Sequence, residues 1–104
     1  MDQIKRIKKM EEYLDISEKA IDELSLSFEK YEAAQKALKE LSDYYGSSEW
    51  MRDYEDDEAG RLPDDLKRGV LSEDAVYNML TKNHEIIVRM MKVITGALDG
   101  KVVM

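Results

Sequence analysis

Residues 44–74, YYGSSEWMRDYEDDEAGRLPDDLKRGVLSED, decide how this chain folds, because they interrupt two stretches that read as plain amphipathic helix. They hold the only Trp (Trp50), the only Pro (Pro63) and three of the five Gly. Twenty-seven residues separate Tyr45 from Glu73. Connections within compact domains run about 4–6 residues, and a structureless one above about 15 is normally functional or disordered. Tyr44, Tyr45, Trp50, Met51, Tyr54, Leu62, Leu66, Val70 and Leu71 give this one too much apolar surface for disorder. Ser47 or Ser48 can cap a short helix running to about Glu58, and Asp57-Glu58-Ala59-Gly60 would end it. Pro63 suits the first turn of another short helix over Asp64–Arg68, which Gly69 then breaks. The expectation is an ordered cap folded over one end of a helical hairpin.

Before the cap, no Gly or Pro occurs from Asp2 to Tyr45. Apolar residues fall at Ile7, Met10, Leu14, Ile21, Leu24, Phe28, Tyr31, Leu38 and Tyr45, which fit the a and d positions of a heptad frame. Ser17, Gln35 and Ser42 are its polar exceptions. The pattern predicts one long helix over about 2–45, preferred to a break at Asp15–Ser17 that would fold the first arm back into a three-helix bundle. After the cap, Ser72 is placed to cap a helix beginning near Glu73, with Leu71 stapled to Val76. Its apolar frame runs Val76, Leu80, Ile87, Met90, Ile94 and Ala97, and Gly100 is the expected stop near residue 99.

These pieces predict a single all-α domain, a long antiparallel helical hairpin of coiled-coil type with short helices in its connecting cap. The arms differ in length by about 25 Å at 1.5 Å per residue, so the first arm from about Ile4 to Ile21 must pack on something else. A second copy of the chain, in a homodimer, is the simplest partner.

Composition bounds the function. Residues 1–45 carry a net charge of −3, residues 46–72 carry −4 and residues 73–104 are neutral, giving −7 overall. Such a surface repels phosphate backbones, so no nucleic-acid partner is expected. The absence of Cys removes disulfides, thiolate nucleophiles and Cys-ligated zinc, and it fits a reducing cytoplasm. No stretch approaches the ~20 apolar residues of a membrane span, and no apolar run of signal-peptide type follows Lys5–Lys9. A soluble cytoplasmic protein is expected, with no membrane partner.

The run YYGSSEW, then Asp53, then LPDDLKRGVLSED resembles a small bacterial family known only as domain of unknown function 4298. The likeness covers most of the chain, and its specific part is the block from Tyr44 to Asp74, with no departure from the family pattern there. The resemblance implies an all-helical fold and carries no assigned activity.

The chemistry open to the cap is limited. Asp53, Asp56 and Asp57, with Glu55 and Glu58, form an acidic cluster whose oxygens would suit a divalent metal. Counted as a calcium loop from Asp53, however, the sixth position is Glu58 where Gly is required, so a solvated helix face is the simpler reading. Trp50 beside Asp53 could raise a carboxyl pKa for general-acid work, yet aromatic–acid neighbours more often only pack. His84 is the only histidine, and no catalytic set can be assembled around it. Met79, Met90 and Met91 could line an adaptable groove, or serve as core. No catalytic residue and no cofactor are therefore expected. The leading reading is an interaction protein that self-associates through its N-terminal half, with Tyr44, Tyr45, Trp50 and Asp53 as the candidate interaction surface for itself or an unknown protein partner. The alternative is a metal or small-ligand site, enzymatic or not, on the acidic, Trp-containing connection.

Overall fold

The computed structural model describes residues 2–101. The protein is all-α, with no strand among the described residues. Helix α1 spans Asp2–Tyr45 without a break at Asp15–Ser17, as a run free of Gly and Pro allows. Its 44 residues correspond to about 65 Å of helix. Helix α2 spans Ser48–Glu58, a 3₁₀ turn spans Gly69–Leu71, and helix α3 spans Ala75–Gly96. A wider-wound turn, Ala97–Lys101, follows α3 and closes at Gly100, whose φ is 91°.

The chain divides into two compact units, the first ending at Leu38 and the second starting at Lys39. In the first unit every side chain from residue 2 to residue 30 is exposed. The apolar heptad positions show it plainly: Ile21 is 65% exposed and Leu24 64%. Local pairs such as Lys9 Nζ with Glu12 Oε2 at 3.5 Å and Lys9 over the Tyr13 ring add little at such exposure. The basic cluster Lys5–Lys9 also opposes the positive end of the helix dipole, which only Asp2 complements.

The second unit holds the core. Among the described residues only Trp50, Leu71 and Val76 are buried, and they come from α2, the 3₁₀ turn and the first turn of α3. The seam pattern led one to expect burial along the long helices, and it lies in the cap instead. Tyr45 Oη donates to the Glu73 carbonyl at 3.0 Å, so the connection closes on its own starting point. Leu41, one turn before Tyr45, lines the same groove as Val76 and Met79.

Local capping explains the cap's shape. The Ser47 hydroxyl donates to the Tyr44 carbonyl at 2.6 Å and accepts from the Trp50 N–H at 3.2 Å, closing α1 and opening α2 with one side chain. At the far end, Gly60 N–H donates to Asp57 O at 3.0 Å and Arg61 N–H to Asp56 O at 2.9 Å. With Gly60 at φ 71°, this is a Schellman stop, and the left-handed position is why glycine sits there.

Two expectations need correction. Asp64–Arg68 forms only a turn, with Leu66 N–H on the Pro63 carbonyl at 3.2 Å, and the short helical element lies later, at Gly69–Leu71. A segment bounded by Pro63 and Gly69 is too short to repay helix nucleation. Helix α3 begins at Ala75, two residues later than Ser72 suggested. Ser72 still serves the helix start, its Oγ accepting from Asp74 N–H at 3.3 Å and Ala75 N–H at 3.4 Å.

Candidate functional site

The candidate residues Tyr44, Tyr45, Trp50 and Asp53 are brought together in the second unit. Spacing on α2 does much of this: Trp50, Asp53 and Tyr54 lie three and four residues apart and share a helix face. Trp50 stacks on Tyr54 with ring centroids 5.2 Å apart and planes 19° from parallel. Tyr45 meets the same indole edge-on, also at 5.2 Å. Both geometries are ones that aromatic quadrupoles favour.

The polar atoms of these side chains are engaged within the chain. Trp50 Nε1 donates to the Val70 carbonyl at 2.9 Å, tying α2 to the 3₁₀ turn. Tyr44 Oη donates to Asp53 Oδ2 at 2.6 Å, tying the end of α1 to α2. Tyr54 Oη donates to Glu73 Oε1 at 2.7 Å, so the start of α3 is gripped through the Glu73 carbonyl by Tyr45 and through its carboxylate by Tyr54. Trp50 is therefore a buried strut, while Tyr44, Tyr45 and Asp53 are half-buried and bonded around it.

Asp53, Asp56 and Asp57 are not gathered into a ligand set. Asp53 accepts from Tyr44, Asp56 pairs with Arg61 at 3.0 Å, and Asp57 pairs with Arg68 at 2.7 Å. Among the described residues no group of three His, Cys, Asp or Glu side chains is placed to hold a metal ion. His84 is exposed on α3. The Arg68–Asp57 pair is the better shielded of the two, and Arg68 Nη2 also donates to the Asp64 carbonyl at 3.1 Å. It fixes the 61–68 turn to α2.

An open groove of about 420 Å³ lies beside the cap, lined by Leu41, Lys67, Val70, Val76 and Met79 among others. Its walls are apolar apart from Lys67. Of the methionines singled out from the sequence, Met79 reaches it. Sequence reasoning missed three partners of the aromatic cluster: Tyr54, the Val70 carbonyl and Glu73. Tyr54 had a signal, its four-residue spacing from Trp50 on a capped helix.

Two phenols titrate abnormally. Burial, then the hydrogen bond to Asp53, pushes Tyr44 up to about 12. The hydrogen bond to Glu73 and then desolvation push Tyr54 up to about 12. A folded-state pKa above the ordinary 10 means that the neutral phenol is favoured by folding. Its stabilising effect is complete below about pH 10 and lost as pH rises to about 12. The melting temperature should therefore fall across that window, and Glu73→Gln should bring Tyr54 back toward 10 in an ultraviolet tyrosinate titration. Six tyrosines all titrating at the ordinary value in the folded protein would refute these contacts.

The family model described as Domain of unknown function (DUF4298) matches residues 7–93. The chain belongs to the DUF4298 family. The match runs from α1 through the cap into α3, so Tyr44, Tyr45, Trp50, Asp53 and their partners Val70 and Glu73 all lie within it. No curated protein and no solved structure matches the chain. No helix among the described residues is long and apolar enough to cross a membrane.

Proposed function

We propose that this DUF4298 protein is a cytoplasmic interaction module that self-associates through the N-terminal part of α1. One observation supports this most strongly. Ile7, Met10, Leu14, Ile21, Leu24 and Phe28 repeat at heptad spacing, and each is about half exposed or more. From Ile7 to Phe28 the stripe is about 30 Å long. An apolar surface of that extent on a soluble chain marks a contact surface. An isolated helix also draws little stability from propensity alone, so a partner helix would order the segment it covers.

The cap then acts as the anchor of the module. Tyr44, Tyr45, Trp50 and Asp53 brace the α1 end, α2 and the α3 start, and contribute to the interaction by ordering the cap. The cytoplasmic placement is supported by the cysteine-free composition.

Hydrogen exchange at two protein concentrations tests the reading. Amides of residues 2–30 should be strongly protected in concentrated solution and lose that protection on dilution, while amides of residues 47–76 should not respond. Fast exchange of residues 2–30 in the concentrated sample would contradict self-association through α1.

A further inference from the structure

We infer that two copies of the chain pair antiparallel along the N-terminal part of α1, with Ile7 facing Leu24, Met10 facing Ile21 and Leu14 facing Ser17 of the second copy. The inference rests on the self-association reading and specifies its geometry.

Charge complementarity argues for the direction. Residues 2–9 carry four basic and one acidic side chain, a net +3, whereas residues 22–29 carry three acidic and no basic ones, a net −3. A parallel, in-register pair sets each block beside its own copy, like against like. The antiparallel pair sets the basic block of one chain against the acidic block of the other, at both ends. Lys8 and Asp22 then lie on one side of the pair and Lys9 and Glu23 on the other, at b and c positions outside the seam, so the blocks attract through their net charges rather than through close pairs. The acidic neighbours also offset the unfavourable position of Lys5, Arg6, Lys8 and Lys9 at the positive end of the helix dipole.

Side-chain size argues for the register. Antiparallel coiled coils pack a positions against d positions, and the pairs named above follow that rule. Ser17 is the small member of the frame, and this register fills the space beside it with Leu14. On the flanking edge Tyr13 meets Ala20, again large against small. In the parallel pair Ser17 would face Ser17, leaving a gap between the Leu14 and Ile21 layers. The parallel pair gains contacts between Arg6 and Glu11, and the antiparallel one brings Glu11 near Glu18. Those exposed pairs are small and screened by salt, as the charges of the two blocks also are, so the packing around Ser17 in the seam carries most of the preference.

The absence of native cysteine makes the test direct. Lys5→Cys and Lys19→Cys, each carrying a spin label on the outer face of the helix, give one distance apiece between copies by pulsed dipolar spectroscopy. In the antiparallel register the two Lys19 positions are about 10 Å apart along the axis and the two Lys5 positions about 30 Å apart. The Lys5 distance should therefore exceed the Lys19 distance by about 15 Å once the separation across the pair is included. Equal distances at both sites would show a parallel dimer and overturn this inference while leaving self-association intact. A Lys19 distance longer than the Lys5 distance would overturn the register. No dipolar coupling at either site, with the mass of a monomer, would overturn both the inference and the reading beneath it.

Discussion

Trp50→Ala should lower the stability of the second unit by about 3–5 kcal/mol, the cost of truncating a large buried aromatic. The size of the effect follows from how little else is buried. Trp50 shares the core with only Leu71 and Val76 among the described residues. Its indole also stacks on Tyr54, meets Tyr45 edge-on and donates to the Val70 carbonyl. Removing it opens a cavity, ends both ring contacts and leaves that carbonyl without its indole donor. For a unit of this size the melting temperature should fall by roughly 15 °C or more. Trp50→Phe keeps most of the packing and loses the N–H, so it should cost about 1–2 kcal/mol. Near-ultraviolet circular dichroism of the tyrosines and thermal melts would measure both. If Trp50→Ala melted like the wild type, the indole would not be the strut of the cap.

The long helix, the capped α2 and its stop were legible because each rests on local rules. A run without Gly or Pro gave α1, the pair Ser47 and Ser48, of which Ser47 is the cap, gave the start of α2, and the run Asp57-Glu58-Ala59-Gly60 gave its end. The clustering of Tyr44, Tyr45, Trp50 and Asp53 was legible for the same reason, since short spacings and one helical turn place them together. The contacts that make the cap a unit were not. The Trp50 bond to Val70 spans 20 residues and the Tyr45 bond to Glu73 spans 28, and no local pattern encodes where the chain returns. The Asp64–Arg68 segment misled because proline at a plausible first turn does not supply the length a helix needs. The heptad pattern misled about the core in an instructive way. Periodicity specifies an apolar face, but not what covers it, and every described side chain from residue 2 to residue 30 is exposed.

Charging that uncovered face should have the largest effect on assembly. Leu14 and Leu24 are 49% and 64% exposed, so their replacement leaves the monomer's fold essentially unburdened. Glu is also a better helix former than the β-branched residues that might otherwise be chosen, so α1 itself should persist. In a dimer the same positions are buried. Leu14→Glu with Leu24→Glu removes two Leu from each copy, at about 2 kcal/mol per side chain, and brings carboxylates into the seam. The association constant should fall at least a thousandfold. The cap is untouched by these changes, so near-ultraviolet signals from Trp50 and its neighbours should survive in the variant. That separation matters, because a variant that lost both the dimer and the cap would report unfolding alone.

Sedimentation equilibrium on the wild type and on Leu14→Glu/Leu24→Glu, at matched concentrations, tests the role of α1 most directly. The wild type should sediment as a dimer of the 12.1 kDa chain and the variant as a monomer with an intact cap. A wild type that remains monomeric at the highest concentration, or a variant with the wild-type mass, would contradict the proposal that this face of α1 binds a second copy.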